Sequence, residues 1–327
     1  MTLLCYNIFV KVKVFAKLNL TLQVGAKQGQ FHPIDSVATS IDICDTVEVT
    51  VRHDAHIWVY DLPQVATEQN SAYRAAVAFQ RMFSTHGVEI CVKKGIPFGG
   101  GLGGSSADAA AVIYCMCKLF DVEIHSQKIH ALCSALGSDI YFMLFGGLGR
   151  LQGKGDDVTY CNMAKPLYFA LTTFDVAMNS GEIYSAFDKL NVCKEAKLPL
   201  SLSTAHCECC DVKSVGVDSV QTDGLSFQNS VNDKLLHLLQ QGENGKAAKL
   251  FSNGLQQATL SVSDYAKEYL NFVQSQKLSC NMTGSGSAYY VACQTPVEAQ
   301  HVADLLNAHG YTTAVCVSVP RGVESKD

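Results

Sequence analysis

Basic residues are scarce in this chain. The 25 Lys and Arg are outnumbered by 30 Asp and Glu, giving a formal net charge of −5, and the clearest basic cluster is the dipeptide Lys93-Lys94. Such a chain projects no global positive field, which argues against nucleic acid or an anionic lipid surface as a partner. Long apolar runs are missing too: no stretch approaches the roughly 18 residues of a membrane-spanning helix. The segment "MTLLCYNIFVKVKVFAKL" has apolar character but no basic start and no small-residue cleavage site, and Lys11, Lys13 and Lys17 interrupt it. It does not read as a signal peptide, and the expected location is cytoplasmic. No internal repeat is detected.

What is plentiful is apolar residues, 48 % against 17 % charged, and cysteine, with 14. A length of 327 residues suggests two domains. The cysteines are scattered from Cys5 to Cys316 through segments with strand or helix character, unlike the dense framework of a small disulfide scaffold. They read as small buried hydrophobes in a reducing compartment. The exception is "HCECCD", His206 to Asp211; a zinc site would need a second ligand pair at suitable spacing, and none stands out, so a local loop is the better reading.

Alternating apolar and polar residues in "FVKVKVFAKLNLTLQV", "TVEVTV" and "IWVYDL" predict strands with one buried face. Helical spacing follows from Asn70, a candidate cap, to Phe83, and "GVEICVKKGIP" predicts a strand ending at Pro97. Further helices are expected over about 106–120 and in "SQKIHALCSAL", capped by Ser126 and stopped at Gly137, while "DIYFMLFGGLGRLQG" reads as a return to strand and turn. After residue 161 the pattern restarts with the strand "PLYFALTTF" and a helix in "NSGEIYSAFDKL". Residues 192–226 have no clear periodicity and predict a long loop. Helices in "VNDKLLHLLQQ", "GKAAKLF", "SDYAKEYLNFVQS" and "PVEAQHVADLLNAHG" and strands in "TGSGSAYYVAC" and "TTAVCVSV" complete the chain, with "PRGVESKD" as a frayed tail. The pattern is α+β, with a strand-rich first half and a helix-rich second.

One stretch stands apart. "PFGGGLGGSSADAAAV", Pro97 to Val112, sets five glycines between Gly99 and Gly104, then two serines and a run of alanines. A loop that loose feeding a helix former that strong suggests backbone N–H groups and a helix N-terminus presented to an anion. No lysine follows Gly104, which excludes a Walker A loop. Gly99, Gly101 and Gly104 formally match G-x-G-x-x-G, but nearly a hundred residues of antiparallel-looking strands precede them, a poor context for a dinucleotide fold. A plain surface turn is the bland alternative.

The stretch resembles the glycine-rich signature of the GHMP small-molecule kinases, P-x-x-x-G-L-G-S-S-A-A. Further segments match in family order: "AKLNLTL" (16–22), "FHPIDSV" (31–37), "NSAYRAA" (70–76), "LGSDIYFML" (136–144), "GRLQGKGD" (149–156) and "MTGSGSAYY" (282–290). The doubled glycine with Asp108 is most similar to the branch whose acceptor alcohol carries a cytidine diphosphate. The resemblance implies a two-domain α+β fold: a ribosomal protein S5 domain 2-like domain over 1–161 and a ferredoxin-like domain over 162–327.

Residue by residue, the resemblance implies an ATP- and Mg²⁺-dependent kinase. Asp139 would take the proton of the acceptor hydroxyl, with Lys17 beside it favouring the carboxylate and stabilising developing charge. Read without the family, Asp139 is a helix cap and Lys17 a surface lysine. Pro97, Gly99, Gly100, Gly101, Leu102, Gly103, Gly104, Ser105 and Ser106 would wrap the nucleotide phosphates, with a Ser106 hydroxyl available to Mg²⁺; Asn70 would lie near the base, or be an ordinary N-cap. Phe31, His32 and Tyr184 would flank the cytosine, with Asn19, Ser180, Gly284 and Ser285 near the acceptor and Thr283 to Gly286 closing over the site. Phe31 stands where the family usually has tyrosine, Tyr141 where it has proline, and Ala107 where it has the last serine of the loop. The partner implied is a small cytidyl-diphosphate alcohol, acted on by a monomer or homodimer; a kinase for mevalonate, homoserine or a sugar, and a non-catalytic nucleotide-binding homologue, are the alternatives.

Overall fold

The computed structural model describes residues 8–60, 67–176, 178–195 and 230–325. The "HCECCD" segment lies outside them. The alternating N-terminal run forms β1 (Phe9–Asn19) and β2 (Thr21–Val24), separated only by Leu20. β3 (Ile34–Val51) runs for 18 residues, far beyond the "TVEVTV" that its periodicity marks. It is long because it serves several partners: β1 along most of its length, β2 over Ile34–Asp35, and three later strands on its other edge. The β1–β3 register shifts between Phe15 and Ala16, where β3 carries Asp42 and Ile43 as extra residues, a bulge opposite β1 just before Lys17.

β4 (Ile57–Tyr60), α1 (Ser71–Phe83) and β5 (Val88–Lys93) form a parallel β-α-β unit, with β5 continuing antiparallel onto β3. α1 starts at Asn70, whose side chain accepts from the N–H groups of Ala72 and Tyr73. α2 (Gly104–Leu119) starts two residues before the expected position and buries Ala107, Ala109, Ala110 and Ala111. It packs on α1, which buries Ala72, Ala75 and Ala76, and on β1 and β3; small side chains on both helices allow that close approach.

α3 (Gln127–Leu136) has the expected Ser126 cap and Gly137 stop. The next segment corrects the sequence reading. "IYFMLF" is not a strand but α4 (Ile140–Phe145), with Ile140, Phe142, Met143 and Leu144 buried against α2 and β1. A short apolar run carries no period that separates a buried helix from a buried strand, and the tertiary contacts decide. β6 (Leu148–Gly153) and β7 (Asp157–Cys161) then form a hairpin that adds to β3.

The second half contains β8 (Tyr168–Thr173), α5 (Ser180–Glu195), α6 (Val231–Gln240), α7 (Asn244–Ala247), β9 (Ser252–Asn253), α8 (Gln256–Val262), α9 (Asp264–Ser275), β10 (Cys280–Met282), β11 (Tyr289–Cys293), α10 (Pro296–Ala308) and β12 (Thr312–Val319). β10, β11, β8 and β12 neighbour one another in that order, all antiparallel. In chain order of these four strands this is 2-3-1-4, the ferredoxin-like arrangement. A second apolar cluster, including Tyr269, Leu270, Val273 and Leu306, packs against this sheet. The two sheets are continuous, because Ser318 and Val319 of β12 pair with Ile41 and Ser40 of β3.

The tail is also not frayed as expected. β13 (Val323–Ser325) pairs with Val12–Val14 of β1, and Gly322 donates its N–H to the Phe145 carbonyl while accepting from Phe15 N–H. Three residues are too few to show a period, and the strand forms because β1 offers a free edge at Val12–Val14. Among the described cysteines, Cys115, Cys117, Cys133, Cys293 and Cys316 are buried and unpaired, and burial pushes the Cys117 and Cys133 thiols up to about 12.

Candidate active site

Where the two sheets meet, a cavity of about 520 Å³ opens between the glycine stretch, β1, the start of α4 and the turn before β11. Lys17 lies near the end of β1, past the bulge, and Asp139 at the N-terminus of α4; Lys17 Nζ is 2.8 Å from Asp139 Oδ2. Lys17 is nearly buried and Asp139 partly open to the cavity. Asp139 makes no capping bond to α4, which removes the bland reading of this carboxylate as a helix cap.

The glycine stretch forms one wall, with Pro97 and Gly99 through Ser106 all on the cavity. Gly99, Gly101 and Gly103 adopt φ of 70°, 72° and 74°, a region that side chains disfavour. Space adds a second demand at Gly101: a Cβ there would sit 2.4 Å from the Thr283 carbonyl oxygen. Gly103 caps α2 without any side-chain bond, and among the described residues no backbone N–H from Gly99 to Ser106 donates a hydrogen bond. Eight unengaged donors at the positive end of a 16-residue helix make an anion cradle.

The turn Thr283–Gly286 closes this wall from the other sheet. Ser287 and Ala288 donate their N–H groups to the carbonyls of Gly99 and Gly100. Asn19 fastens the same turn: its backbone N–H donates to Thr283 Oγ1, its Oδ1 accepts from Gly284 N–H and its Nδ2 donates to Ser36 Oγ. The Asn19 amide is thus committed to protein partners at the cavity wall. Ser180 Oγ and Ser285 Oγ meet at 2.8 Å across the far side.

Tyr184 of α5 lines the cavity, and burial together with the facing Asp139 carboxylate raises its phenol above the ordinary value. His32 stacks on Tyr184 with ring centroids 4.9 Å apart. Phe31 is 45 % exposed, and neither it nor His32 lines the cavity. Asn70 sits outside the cavity, as the N-cap of α1.

Two cavity lysines escape the sequence reading. Lys154, on the turn between β6 and β7, approaches Asp156 at 3.3 Å. Lys94, seen only as half of a basic dipeptide, binds Asp45 Oδ2 at 2.5 Å and Asp108 Oδ2 at 2.8 Å. Asp45 is fully buried and also accepts from the N–H groups of Gly95 and Ile96, so it sets the corner from which the glycine stretch departs. The signal available was the spacing of Lys94 from Pro97, but three carboxylate and amine groups distributed over 63 positions announce no cluster in sequence.

For a divalent cation the donors at hand are the Ser105 and Ser106 hydroxyls and the Asp139 carboxylate. No group of three or more His, Cys, Asp or Glu that could hold a metal occurs among the described residues. This set fits Mg²⁺ carried in by phosphates and steadied by one or two protein oxygens, the usual habit of that ion.

The fold and cleft are those of the GHMP class of small-molecule kinases, and the GHMP kinases N terminal domain family matches residues 70–147, from the cap of α1 to the end of α4. The 4-diphosphocytidyl-2-C-methyl-D-erythritol kinase of Clostridium tetani is 31 % identical over 188 residues, spanning 57 % of this chain and 67 % of the relative. That of Desulfitobacterium hafniense is 29 % identical over 318 residues, 96 % and 97 % of the two chains. A crystal structure of 4-(cytidine 5'-diphospho)-2C-methyl-D-erythritol kinase superposes with a TM-score of 0.69 at 21 % identity, covering 94 % of this chain and 99 % of the other. The chain belongs to the 4-diphosphocytidyl-2-C-methyl-D-erythritol kinase family.

Proposed function

We propose that this chain transfers the γ-phosphoryl group of ATP to the 2-hydroxyl of 4-diphosphocytidyl-2-C-methyl-D-erythritol, in non-mevalonate isoprenoid precursor synthesis, in the cytoplasm and as a monomer or homodimer. One juxtaposition carries this reading: the unengaged N–H run of Gly99–Ser106 shares a cavity with the Lys17–Asp139 pair. Phosphoryl transfer asks the protein for little beyond positioning and charge stabilisation, and these two elements supply both.

The N–H groups of the glycine stretch and the N-terminus of α2 hold the triphosphate. Asp139 accepts the hydroxyl proton as the new O–P bond forms and the β,γ-bridge bond breaks, releasing ADP. Lys17 keeps Asp139 oriented and offsets charge on the transferring group. Ser105, Ser106 and Asp139 are the side chains that would hold Mg²⁺ beside the phosphates, and the ion would supply further neutralisation of their oxygens. Residues 1–161 form the nucleotide-binding domain, and 162–327 supply Ser180, Tyr184, Gly284 and Ser285 to the acceptor side; Phe31 and His32 face the cytosine.

The test is ADP release from ATP-Mg²⁺ with the cytidyl alcohol, mevalonate, homoserine or galactose as acceptor. Release with the cytidyl alcohol alone is expected. Turnover confined to another alcohol overturns the acceptor assignment, and no turnover with any acceptor overturns the kinase assignment.

A further inference from the structure

A second cavity, of about 490 Å³, opens at the seam where β12 meets β3. α4 separates it from the active cavity: Asp139 stands at one end of that helix, and Phe145, at the other, lines the second cavity. Three segments build its walls. Residues 145–148 lead from α4 into β6, residues 160–166 lead from β7 towards β8, and residues 318–320 end β12. The body is apolar, made by Phe145, Leu148, Tyr160, Met163, Val319 and Pro320. Phe145 and Tyr160 meet edge to face, with ring centroids 5.9 Å apart. The two hydroxyls on the wall are already committed: Tyr160 donates to the Tyr141 carbonyl and Ser318 to Met163 Sδ.

The one charged side chain on this wall is Lys165, and no carboxylate lines it. Lys165 and Pro166 form a ridge shared with a neighbouring cavity of about 550 Å³, which Lys246 and Lys249 also line. Asn244 fixes the ridge, its Nδ2 donating to the Pro166 carbonyl at 2.9 Å. The single carboxylate there, Glu243, is paired with Lys246. Among the described residues Lys165 and Lys249 have no ion-pair partner.

We propose that the seam cavity binds a small amphiphilic anion, with its apolar body between Phe145, Tyr160 and Met163 and its single anionic head at Lys165. The volume is in the range of small-molecule sites, which favour junctions between domains. Burying the body removes apolar area from water. Three lysines against one paired carboxylate give the head a local positive field in a chain whose net charge is −5. The same field disfavours a cationic ligand. The site is separate from the phosphate cradle, so it stands whichever alcohol is the kinase acceptor.

The probe is 8-anilinonaphthalene-1-sulfonate, with its uncharged counterpart N-phenyl-1-naphthylamine as control. Methionine methyl resonances of the full chain report location, because Met163 lines the seam cavity and Met178 the active one. Saturable sulfonate-induced shifts at Met163, assigned through Met163→Leu, are expected to persist in ATP-Mg²⁺. Lys165→Ala is expected to weaken the sulfonate by about tenfold, the scale of one hydrogen bond to a charged group, and to leave the uncharged probe unchanged. No saturable shift at Met163, or shifts at Met178 that ATP displaces, overturns the proposal. So does an unchanged sulfonate affinity in Lys165→Ala, or an equal loss for both probes. The Met163 shifts are read on the wild-type chain, so the site is tested even if Lys165→Ala fails to fold.

Discussion

Lys17 and Asp139 are 122 positions apart in sequence and 2.8 Å apart in space. They meet because β1 carries Lys17 past its register shift against β3 to the cavity, while Asp139 stands at the N-cap of α4 on the same cavity. Asp139→Asn keeps the shape and removes the proton acceptor. Turnover is expected to fall by about 10²–10⁴ with ATP binding retained, since the phosphate cradle is untouched. ADP release and nucleotide titration check this; near-normal turnover would reject Asp139 as the base.

Gly101→Ala attacks the cradle instead. Its Cβ would meet the Thr283 carbonyl oxygen at 2.4 Å in a backbone held at φ 72°. The expected cost is about 1–3 kcal/mol of stability together with a raised KM for ATP, and an acceptor KM that changes less. Thermal unfolding and steady-state kinetics separate the two effects.

Gly322→Ala is a sharper test of the tail. A Cβ at Gly322 would lie 2.0 Å from the Met143 carbonyl oxygen and 2.8 Å from Gly146 N, both rigid backbone. Gly310→Ala is the control, with φ 85° but nothing within 4 Å. The first is expected to cost several kcal/mol and the second about 1 kcal/mol. Equal unfolding midpoints for the two variants would contradict the threading of the tail between β1 and α4.

Lys94→Met leaves Asp45 and Asp108 buried without their shared cation, and about 3–5 kcal/mol of destabilisation is expected. Adding Asp108→Asn should recover part of it, a non-additivity that denaturant midpoints can measure.

Asp108 also gives a pH dependence. Burial, aided by Asp45, pushes its carboxyl up to about 7 from an ordinary 3.8, against the pull of Lys94. The folded chain therefore keeps this proton at pH values where the unfolded chain has released it, so this group's contribution falls as pH rises from about 4 to 7. Asp108→Asn should flatten the decline in stability across that window. A variant whose stability changes in parallel with wild type from pH 4 to 8 would show that Asp108 does not titrate there.

The sequence carried much of this molecule and failed in definable places. Segments with a full period or a cap were legible: β1 from its alternation, α1 and α3 from Asn70 and Ser126. Glycines whose φ is positive announced the cradle. Elements whose form depends on distant partners were not legible. α4 read as a strand because six apolar residues fit either period, and β13 read as a tail because its pairing is supplied by β1. The Asp45–Lys94–Asp108 and His32–Asp188 contacts are products of tertiary meeting and have no local sequence mark.

A peptide loop ordinarily offers an anion as much repulsion as welcome, since each unit carries an oxygen as well as an N–H. Here four of the oxygens are spoken for. Gly99 and Gly100 carbonyls take protons from Ser287 and Ala288, the Leu102 carbonyl from Lys17 N–H, and the Gly103 carbonyl from Ala107 N–H. The turn before β11 and the strand bearing Lys17 therefore sort the loop by polarity, drawing its negative ends into the protein and leaving its positive ends toward the cavity. The anion selectivity of the cleft is consequently a joint property of both halves of the chain, and a change in the distant Ser287–Ala288 backbone would be felt as a weaker affinity for phosphate.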